Sequence, residues 1–260
     1  MIDLHCHILP GVDDGAPDLE ESLRMAETAS AEGIRIIAAT PHHNKMSWMN
    51  PAGAIRKLTD SLNEAIAARG LDVAVIPGQE MFVNGFFFDE WTAERVQPIG
   101  DTRYVLIEFP HERLPRNAAE VVHELTVAGQ VPIIAHPERN LAILEDPDLL
   151  AELVETGALG QVTTHSLVGT FGRHIRRRSE EMVERGLVHI VASDAHRATA
   201  EGRDFRLRQA YEAVERKFGS ACAEAFKANA EAVIANRPID PERRWPAEKH
   251  RLFSWRKGRK

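Results

Sequence analysis

Short apolar segments alternate with longer amphipathic stretches along most of this chain, and this alternation constrains the fold more than any other feature. The apolar segments are rich in β-branched residues and do not alternate with polar ones, which is typical of strands covered on both faces. The predicted strands are residues 1–4, 34–39, 73–76, 104–107, 131–135, 159–162 and 188–192. Repeated strand–helix units of this kind predict a parallel α/β sheet.

The stretches between the strands have the apolar spacing of helices, and five of them are followed by a glycine before the next strand. These helices are predicted at 18–32, 52–69, 117–128, 148–155 and 173–185, followed by Gly33, Gly70, Gly129, Gly157 and Gly186. Glycine in this position is a common end signal of a helix. Seven strand–helix units in 260 residues favour one closed barrel over an open sheet.

Two more helices, 205–218 and 221–236, are predicted after the last strand. We therefore predict a single α/β barrel domain over residues 1–236, with extra C-terminal helices. The segment 237–260 carries nine Lys or Arg residues and three acidic ones. We interpret it as a basic, solvated tail that covers the bottom of the barrel or frays. The alternative is a contact with an anionic surface or a partner, made through Phe253 and Trp255 among these charges.

Composition excludes several classes of protein. The formal net charge of −7 argues against a general nucleic-acid binder. No apolar run approaches the roughly 20 residues that cross a bilayer, and the first residues lack the regions of a signal peptide. Because Cys6 and Cys222 are the only cysteines, we expect no disulfide framework and a cytoplasmic location.

Metal-ligating residue types recur at the carboxyl ends of six of the seven predicted strands. His5 and His7 end the first strand, where a spacing of two places both imidazoles on one face. The other residues of this kind are Asp14, His42, Glu80, Glu108, His136, Asp194 and His196. In a βα barrel the carboxyl ends of the strands converge on one face, where active sites are built. These nine side chains therefore predict one metal centre.

The predicted donor set contains five imidazoles and four carboxylates, which is too many for one tetrahedral zinc ion. Mixed nitrogen and oxygen donors in this number fit two or three divalent cations, and Mn, Fe, Zn, Co and Mg are all chemically reasonable. Closely spaced cations suit in-line attack of an activated water on phosphorus. A cysteine nucleophile is disfavoured, because the Cys-x5-Arg pattern of cysteine phosphatases is broken by Val12 and Ala228.

Several stretches resemble the polymerase-and-histidinol-phosphatase (PHP) superfamily, and in particular its bacterial manganese-dependent protein-tyrosine phosphatases that regulate capsule and exopolysaccharide synthesis. The similar stretches are MIDLHCHILPGVDDGAPDLEESLRMA, GIRIIAATPHH, IPGQE, VLIEFP, PIIAHPERN, QVTTHSLVGTFG and VASDAH. The resemblance implies a distorted (β/α)7 TIM-like barrel with a trinuclear metal centre, manganese being the first choice. It also implies that phosphate is removed from the tyrosine-rich tail of a membrane-linked bacterial tyrosine kinase.

The resemblance also implies roles for individual residues. All nine predicted ligands match ligand positions of the family. Arg139 matches the phosphate-binding arginine, and Arg203 resembles a second one. Apart from the resemblance, His43 and His165 are interpreted as substrate contacts or as supports behind the ligands, and the alternative for His165 is that it simply fills its loop.

Other functions on the same barrel stay open. A histidinol-phosphate-type phosphatase of small molecules is the strongest rival. A non-catalytic barrel that binds a kinase would be expected to have lost ligands, and all nine are present. An exonuclease is disfavoured by the acidic charge, and an amidohydrolase by the lack of a lysine at the end of a predicted strand.

Overall fold

The computed structural model describes residues 1–199, 203–241 and 245. Its strands are β1 (Ile2–Cys6), β2 (Ile36–Ala39), β3 (His42–His43), β4 (Ala74–Pro77), β5 (Glu80–Phe82), β6 (Tyr104–Glu108), β7 (Val131–Ala135), β8 (Leu159–Thr163) and β9 (Ile190–Ala192). Its α-helices are α1 (Leu19–Glu32), α2 (Ala52–Ala68), α3 (Phe87–Thr92), α4 (Ala118–Val127), α5 (Leu141–Glu145), α6 (Asp148–Glu155), α7 (Thr164–Val168), α8 (Arg173–Glu184), α9 (Leu207–Phe218) and α10 (Ser220–Ile234). A 3₁₀ turn, Pro137–Arg139, follows β7.

All strands pair in parallel and form two sheets, ordered β1-β2-β4 and β3-β5-β6-β7-β8-β9. The nine strands of the described residues occupy seven positions around a barrel, because β3 continues the path of β2 and β5 continues that of β4. The predicted α/β barrel is therefore confirmed, and its distortion lies in these two interrupted strands.

The two interruptions have local causes. Pro41 separates β2 from β3, and proline has no N–H to donate to a neighbouring strand. Gly78 separates β4 from β5, where a Cβ would lie 3.0 Å from the Thr40 side chain and 3.2 Å from the Ala39 carbonyl. The two strands therefore approach closely at this level, where a larger residue would be crowded.

The barrel closes between β1 and β9 near their carboxyl ends. The His7 N–H donates to the Ala195 carbonyl, and the Asp194 N–H donates to the His5 carbonyl, both at 2.9 Å. Deeper in the barrel, the buried Asp3 carboxylate accepts a hydrogen bond from the Ser193 N–H at 2.9 Å. These bonds fix the last predicted ligand loop against the first strand.

An apolar plug fills the lower half of the barrel. Its buried side chains include Leu4, Tyr104, Leu106, Ile133, Leu159 and Ile190, together with Ala230 and Val233 of α10. Because side chains in a strand alternate between faces, Glu108 and Gln161 lie on the inner face above Leu106 and Leu159. The inside of the barrel is thus apolar below and polar above, so the site lies at the carboxyl ends of the strands.

A β-bulge in β1 aims its side chains toward this polar level. The register between β1 and β2 shifts between Asp3 and Cys6. Leu4 therefore packs in the apolar plug while the next residue, His5, also points inward and contacts Gln161 at 2.7 Å. Bulges commonly redirect a side chain next to a functional site.

Candidate metal centre

The structure brings the nine predicted ligands together at the carboxyl ends of the strands. Seven of them form three overlapping groups whose donor atoms lie within 4.8 Å of one another. The groups are His7, Asp14, His42 and His196; His5, His7 and Glu80; and His42, Glu80 and Glu108. His7, His42 and Glu80 each belong to two groups, so the three sets of donors are contiguous.

The two remaining predicted ligands lie against the same groups. His136 Nε2 is 2.8 Å from Glu80 Oε1. Asp194 Oδ1 is 3.4 Å from His5 Nε2 and 3.3 Å from His7 Nε2. The carboxylate groups of Glu80 and Asp194 therefore lie at the centre of the cluster, with imidazoles around them.

Several donor atoms of the cluster are buried without a hydrogen-bond partner. Among the described residues, these atoms include His42 Nδ1, Glu80 Oε2 and Asp194 Oδ1, and the first two face each other at 2.7 Å inside the cluster. Unpaired polar atoms are costly inside a protein unless another group compensates them. Divalent cations bound by imidazole nitrogens and carboxylate oxygens would offset this cost, so the residues present fit a metal centre.

The charge states of two histidines suit metal binding. Burial lowers the pKa of His136 to about 4, and the positive charge of Arg139 acts in the same direction. Burial, together with the charge of His7, lowers the pKa of His196 to about 4. Both rings are neutral at pH 7, and each keeps the lone pair that a cation requires.

The central carboxylates are held as anions. Burial alone would raise the pKa of Glu80, but His42 and His5 outweigh it and hold the pKa well below its usual range. Burial acts in the same way on Asp194, and Arg203 and His5 again hold its pKa well below the usual value. Both side chains are therefore available as ligands in their charged form.

Two further residues, to which the sequence pattern gave no role, orient the histidines of β1. Asp13 Oδ2 lies 2.7 Å from His7 Nδ1, and Gln161 Oε1 lies 2.7 Å from His5 Nδ1. Each contact holds Nδ1 and turns Nε2 toward the cluster, which is the usual support for a metal-binding histidine. Burial alone would lower the pKa of His7, but Asp13 raises it well above its ordinary value.

The loop that carries Asp13 and Asp14 depends on a glycine. A Cβ on Gly15 would lie 2.1 Å from the His7 carbonyl oxygen and 2.4 Å from the His7 Cβ. The Gly15 N–H donates to Asp13 Oδ1 at 2.8 Å, and Asp13 Oδ2 also accepts from the His42 N–H at 3.0 Å. This packing holds the loop against β1 and β3.

Both predicted arginines converge on one carboxylate oxygen of the cluster. Asp194 Oδ2 is 2.6 Å from Arg139 Nη1 and 2.5 Å from Arg203 Nη1. The Arg139 guanidinium also lies 5.6 Å from the ring centre of Phe171. Two guanidinium groups at the edge of the cluster are well suited to bind a phosphoryl group in fork geometry.

Two ligand positions have an unusual backbone conformation. His136 has φ of 33° and Asp194 has φ of 53°, and both values lie in the left-handed region that most residues avoid. Strain of this kind persists where surrounding structure enforces it, and it clusters at functional sites.

His43 and His165, which were predicted as substrate contacts or supports, lie outside the three donor groups. His43 is buried, with Nε2 2.9 Å from Glu90 and Nδ1 accepting from the Asn50 N–H at 2.9 Å. It thus supports the loop after β3. His165 Nε2 is 2.9 Å from Asp204, and its ring stacks on Phe171 with centres 5.5 Å apart.

Lys45 and Trp48 are two neighbours of the cluster that were not predicted from the sequence. Lys45 Nζ is 2.8 Å from Glu108 Oε1 and 3.2 Å from His42 Nε2. The Trp48 ring stacks on His42 at 5.1 Å with an interplanar angle of 12°. Both come from the loop after β3, and only their position beside His42 along the chain could have indicated them.

Comparisons with known proteins agree with this geometry. Residues 1–235 match the model of the family described as capsular polysaccharide synthesis, CpsB/CapC. The chain belongs to this family. The predicted resemblance to bacterial phosphatases linked to capsule synthesis is therefore confirmed.

Relatives in the CpsB/CapC family align over nearly the whole chain. Tyrosine-protein phosphatase YwqE of Bacillus subtilis (strain 168) is 41% identical over 98% of this chain and 100% of its own length. CapC of Staphylococcus aureus is 34% identical over 98% of both chains. Tyrosine-protein phosphatase CpsB of Streptococcus agalactiae serotype V is 28% identical over 92% of this chain and 100% of its own length.

Solved structures of the CpsB/CapC family have the same fold. A structure from work on YwqE of Bacillus subtilis and CpsB of Streptococcus pneumoniae, described as metal-dependent tyrosine phosphatases, superposes with a TM-score of 0.90. It is 41% identical and covers 96% of this chain and 100% of its own. A histidinol phosphate phosphatase of Lactococcus lactis superposes at 0.50 with 12% identity, covering 96% of this chain and 100% of its own, and supports the fold alone.

Proposed function

We propose that this chain is a metal-dependent protein-tyrosine phosphatase. The observation that carries the proposal is the cluster of nine imidazole and carboxylate side chains with two arginines on the central Asp194. Membership of the CpsB/CapC family supports it, as do the relatives named tyrosine-protein phosphatases.

The proposed reaction is hydrolysis of a phosphomonoester at this cluster. The nine ligands would hold two or three divalent cations, with manganese as the first choice and Fe, Zn, Co and Mg as alternatives. Such cations supply an activated water and positive charge for the phosphoryl oxygens. Arg139 and Arg203 bind phosphoryl oxygens and stabilise the negative charge that grows on them as the bond to the leaving group breaks.

Phenolate is a favourable leaving group for this site. The parent phenol has a pKa of about 10, well below that of an alcohol, so the departing oxygen needs less help from a proton donor. Cys6 takes no part as a nucleophile, since it is fully buried and burial raises the pKa of its thiol well above the usual value.

We further propose that the physiological substrate is a phosphotyrosine-bearing protein, namely the tail of a bacterial tyrosine kinase that controls capsule or exopolysaccharide synthesis. The family's role in capsular polysaccharide synthesis supports this partner. Among the described residues, no helix is long and apolar enough to cross a membrane. We place the enzyme in the cytoplasm, consistent with two buried cysteines that form no disulfide.

A substrate panel tests the proposed activity. With manganese added, kcat/KM is measured for a phosphotyrosyl peptide, a phosphoseryl peptide, p-nitrophenyl phosphate and histidinol phosphate. The proposal predicts that both aryl phosphates are hydrolysed at least about tenfold more efficiently than the alkyl phosphates, because phenolates leave more readily. A preference for histidinol phosphate would instead identify a small-molecule phosphatase on the same barrel.

A further inference from the structure

A groove of about 660 Å³ runs beside the metal centre between the loops that follow β5 and β6. One wall is formed by residues 82–85 and the other by Pro110 and residues 113–117. Phe82 pairs with Glu108 in the register of the two strands, and neighbouring strands lie about 4.8 Å apart. The groove therefore begins one strand away from a predicted ligand.

Both walls are held in place by side-chain hydrogen bonds. Asn44 and Asn84 exchange bonds of 2.8 Å, and the Phe86 N–H donates to Asn84 Oδ1 at 2.8 Å. On the other side, Asn140 Nδ2 donates to the Pro110 carbonyl at 2.8 Å and to the Arg113 carbonyl at 3.2 Å. The groove is thus largely formed before any ligand enters, as binding sites usually are.

The charge of the groove is positive although the whole chain is acidic, with a net charge of −7. Arg113 and Arg116 line it and are exposed, and no carboxylate is among the described residues that line it. Neither guanidinium forms an ion pair within 4.0 Å with any residue that the structure describes. These two charges are free to pair with acidic groups of another molecule.

We propose that this groove binds acidic side chains that flank the phosphotyrosine of a polypeptide substrate, an inference that rests on the proposed function. An extended chain advances about 3.3 Å per residue, so residues a few positions from the phosphotyrosine reach the groove while the phosphate lies at the metal centre. Lys45 stands between the two sites, 2.8 Å from Glu108 and 5.8 Å from the Phe82 ring centre. The groove then favours substrates with acidic flanking sequences. Small phosphate esters have no flanking residues, so they gain no binding energy from the groove.

The test compares two phosphotyrosyl peptides that differ only in glutamate or glutamine at the second to fourth positions on both sides of the phosphotyrosine. The wild-type chain should hydrolyse the glutamate peptide with a higher kcat/KM. The double variant Arg113→Gln/Arg116→Gln should reduce this preference by about five- to tenfold, as expected for two exposed charge pairs. Turnover of p-nitrophenyl phosphate, which has no flanking residues, should stay unchanged and shows that the variant is folded.

The matched control is Arg173→Gln/Arg177→Gln, which removes two exposed arginines of α8 that lie outside the groove. It should keep the preference for the glutamate peptide. The inference is overturned if the wild-type chain hydrolyses both peptides equally, or if the groove variant keeps the preference. Loss of the preference in the control variant alone would likewise assign the recognition to α8. If no phosphotyrosyl peptide is hydrolysed at all, the proposed function itself fails.

Discussion

At the scale of single residues, the ligand set is easier to predict than its supports. Most of the predicted ligands lie at or just after the end of an apolar segment, so their positions along the chain mark them as candidates. Gln161 supports His5 across 156 residues of sequence, and Lys45 reaches Glu108 across 63. Contacts of this length depend on how the elements pack, so no local pattern in the sequence indicates them.

The support that Asp13 gives to His7 can be tested by removing its charge. The two carboxylate oxygens of Asp13 now accept hydrogen bonds from His7 Nδ1, the Gly15 N–H and the His42 N–H. In Asp13→Asn only one side-chain oxygen remains to accept them. We expect manganese affinity to fall by about 10- to 100-fold, as is usual for partners behind a ligand. Isothermal titration calorimetry measures this affinity, with the exposed Asp60→Asn as the control. Equal affinities in the two variants would contradict the role of Asp13.

The fully buried Cys6 provides a test of metal-only chemistry. Its thiol lies 3.5 Å from the Ala195 carbonyl, and a serine hydroxyl can donate to the same oxygen. Cys6→Ser should therefore keep kcat within about threefold of the wild type, because a buried thiol of raised pKa is not a nucleophile. His136→Ala should reduce kcat by about 100-fold or more through loss of a ligand. Steady-state hydrolysis of p-nitrophenyl phosphate distinguishes them, and near-complete loss in Cys6→Ser would refute the assignment.

At the scale of elements, strand and helix positions follow from the sequence while their interruptions do not. The pattern of 34–39 predicts β2, but the separate strand His42–His43 after Pro41 appears only when β5 pairs with it. The bulge in β1 could not be predicted from the local sequence either, because it is defined by the register between β1 and β2. The short helices α3, α5 and α7 were also missed, because each is too brief to show a helical period.

His189 joins β8, β9 and the segment after α10, and its ring links them only when neutral. Nδ1 accepts from the Gly160 N–H at 3.0 Å, and Nε2 is 3.0 Å from the Pro241 carbonyl. Burial lowers the pKa of His189. The neutral ring therefore contributes stability above the ordinary histidine pKa of about 6.5, and this contribution is lost as the pH falls below that value.

The variant His189→Asn can still accept from Gly160 but has no proton to gain near pH 6. It should be less stable than the wild type at pH 7 by about 1 kcal/mol, from the lost bond to the Pro241 carbonyl. This difference should narrow at pH 5, because only the wild type then takes up a proton on unfolding. Urea unfolding at both pH values measures it. A difference that stays constant or widens at pH 5 would contradict the neutral ring.

At the scale of the whole molecule, the barrel carries all the residues proposed to take part in the reaction, and the tail of residues 237–260 carries none of them. The predicted boundary at residue 236 stays a prediction, and residues 242–244 and 246–260 lie outside the described part of the chain. Within it, the Arg237 and Pro241 carbonyls accept hydrogen bonds from Tyr104 and His189, and Trp245 packs against the core.

Removal of the chain after Trp245 should therefore leave the active site intact. We expect kcat for p-nitrophenyl phosphate to stay within about twofold of the full-length value, because neither a predicted ligand nor a predicted phosphate-binding arginine lies in the removed segment. Steady-state kinetics and a thermal melt measure the effect. A loss of turnover at unchanged melting temperature would show that the tail takes part in the reaction.

The most direct test of the central claim combines elemental analysis with activity. Pure, active protein is analysed for bound divalent metal, then exhaustively treated with EDTA, and its hydrolysis of a phosphotyrosyl peptide is followed as manganese is returned. We predict two or three equivalents of bound cation, loss of hydrolysis by at least about 100-fold after EDTA, and recovery as manganese is added. Hydrolysis that persists in protein free of stoichiometric metal would contradict the claim that these nine side chains act by holding cations.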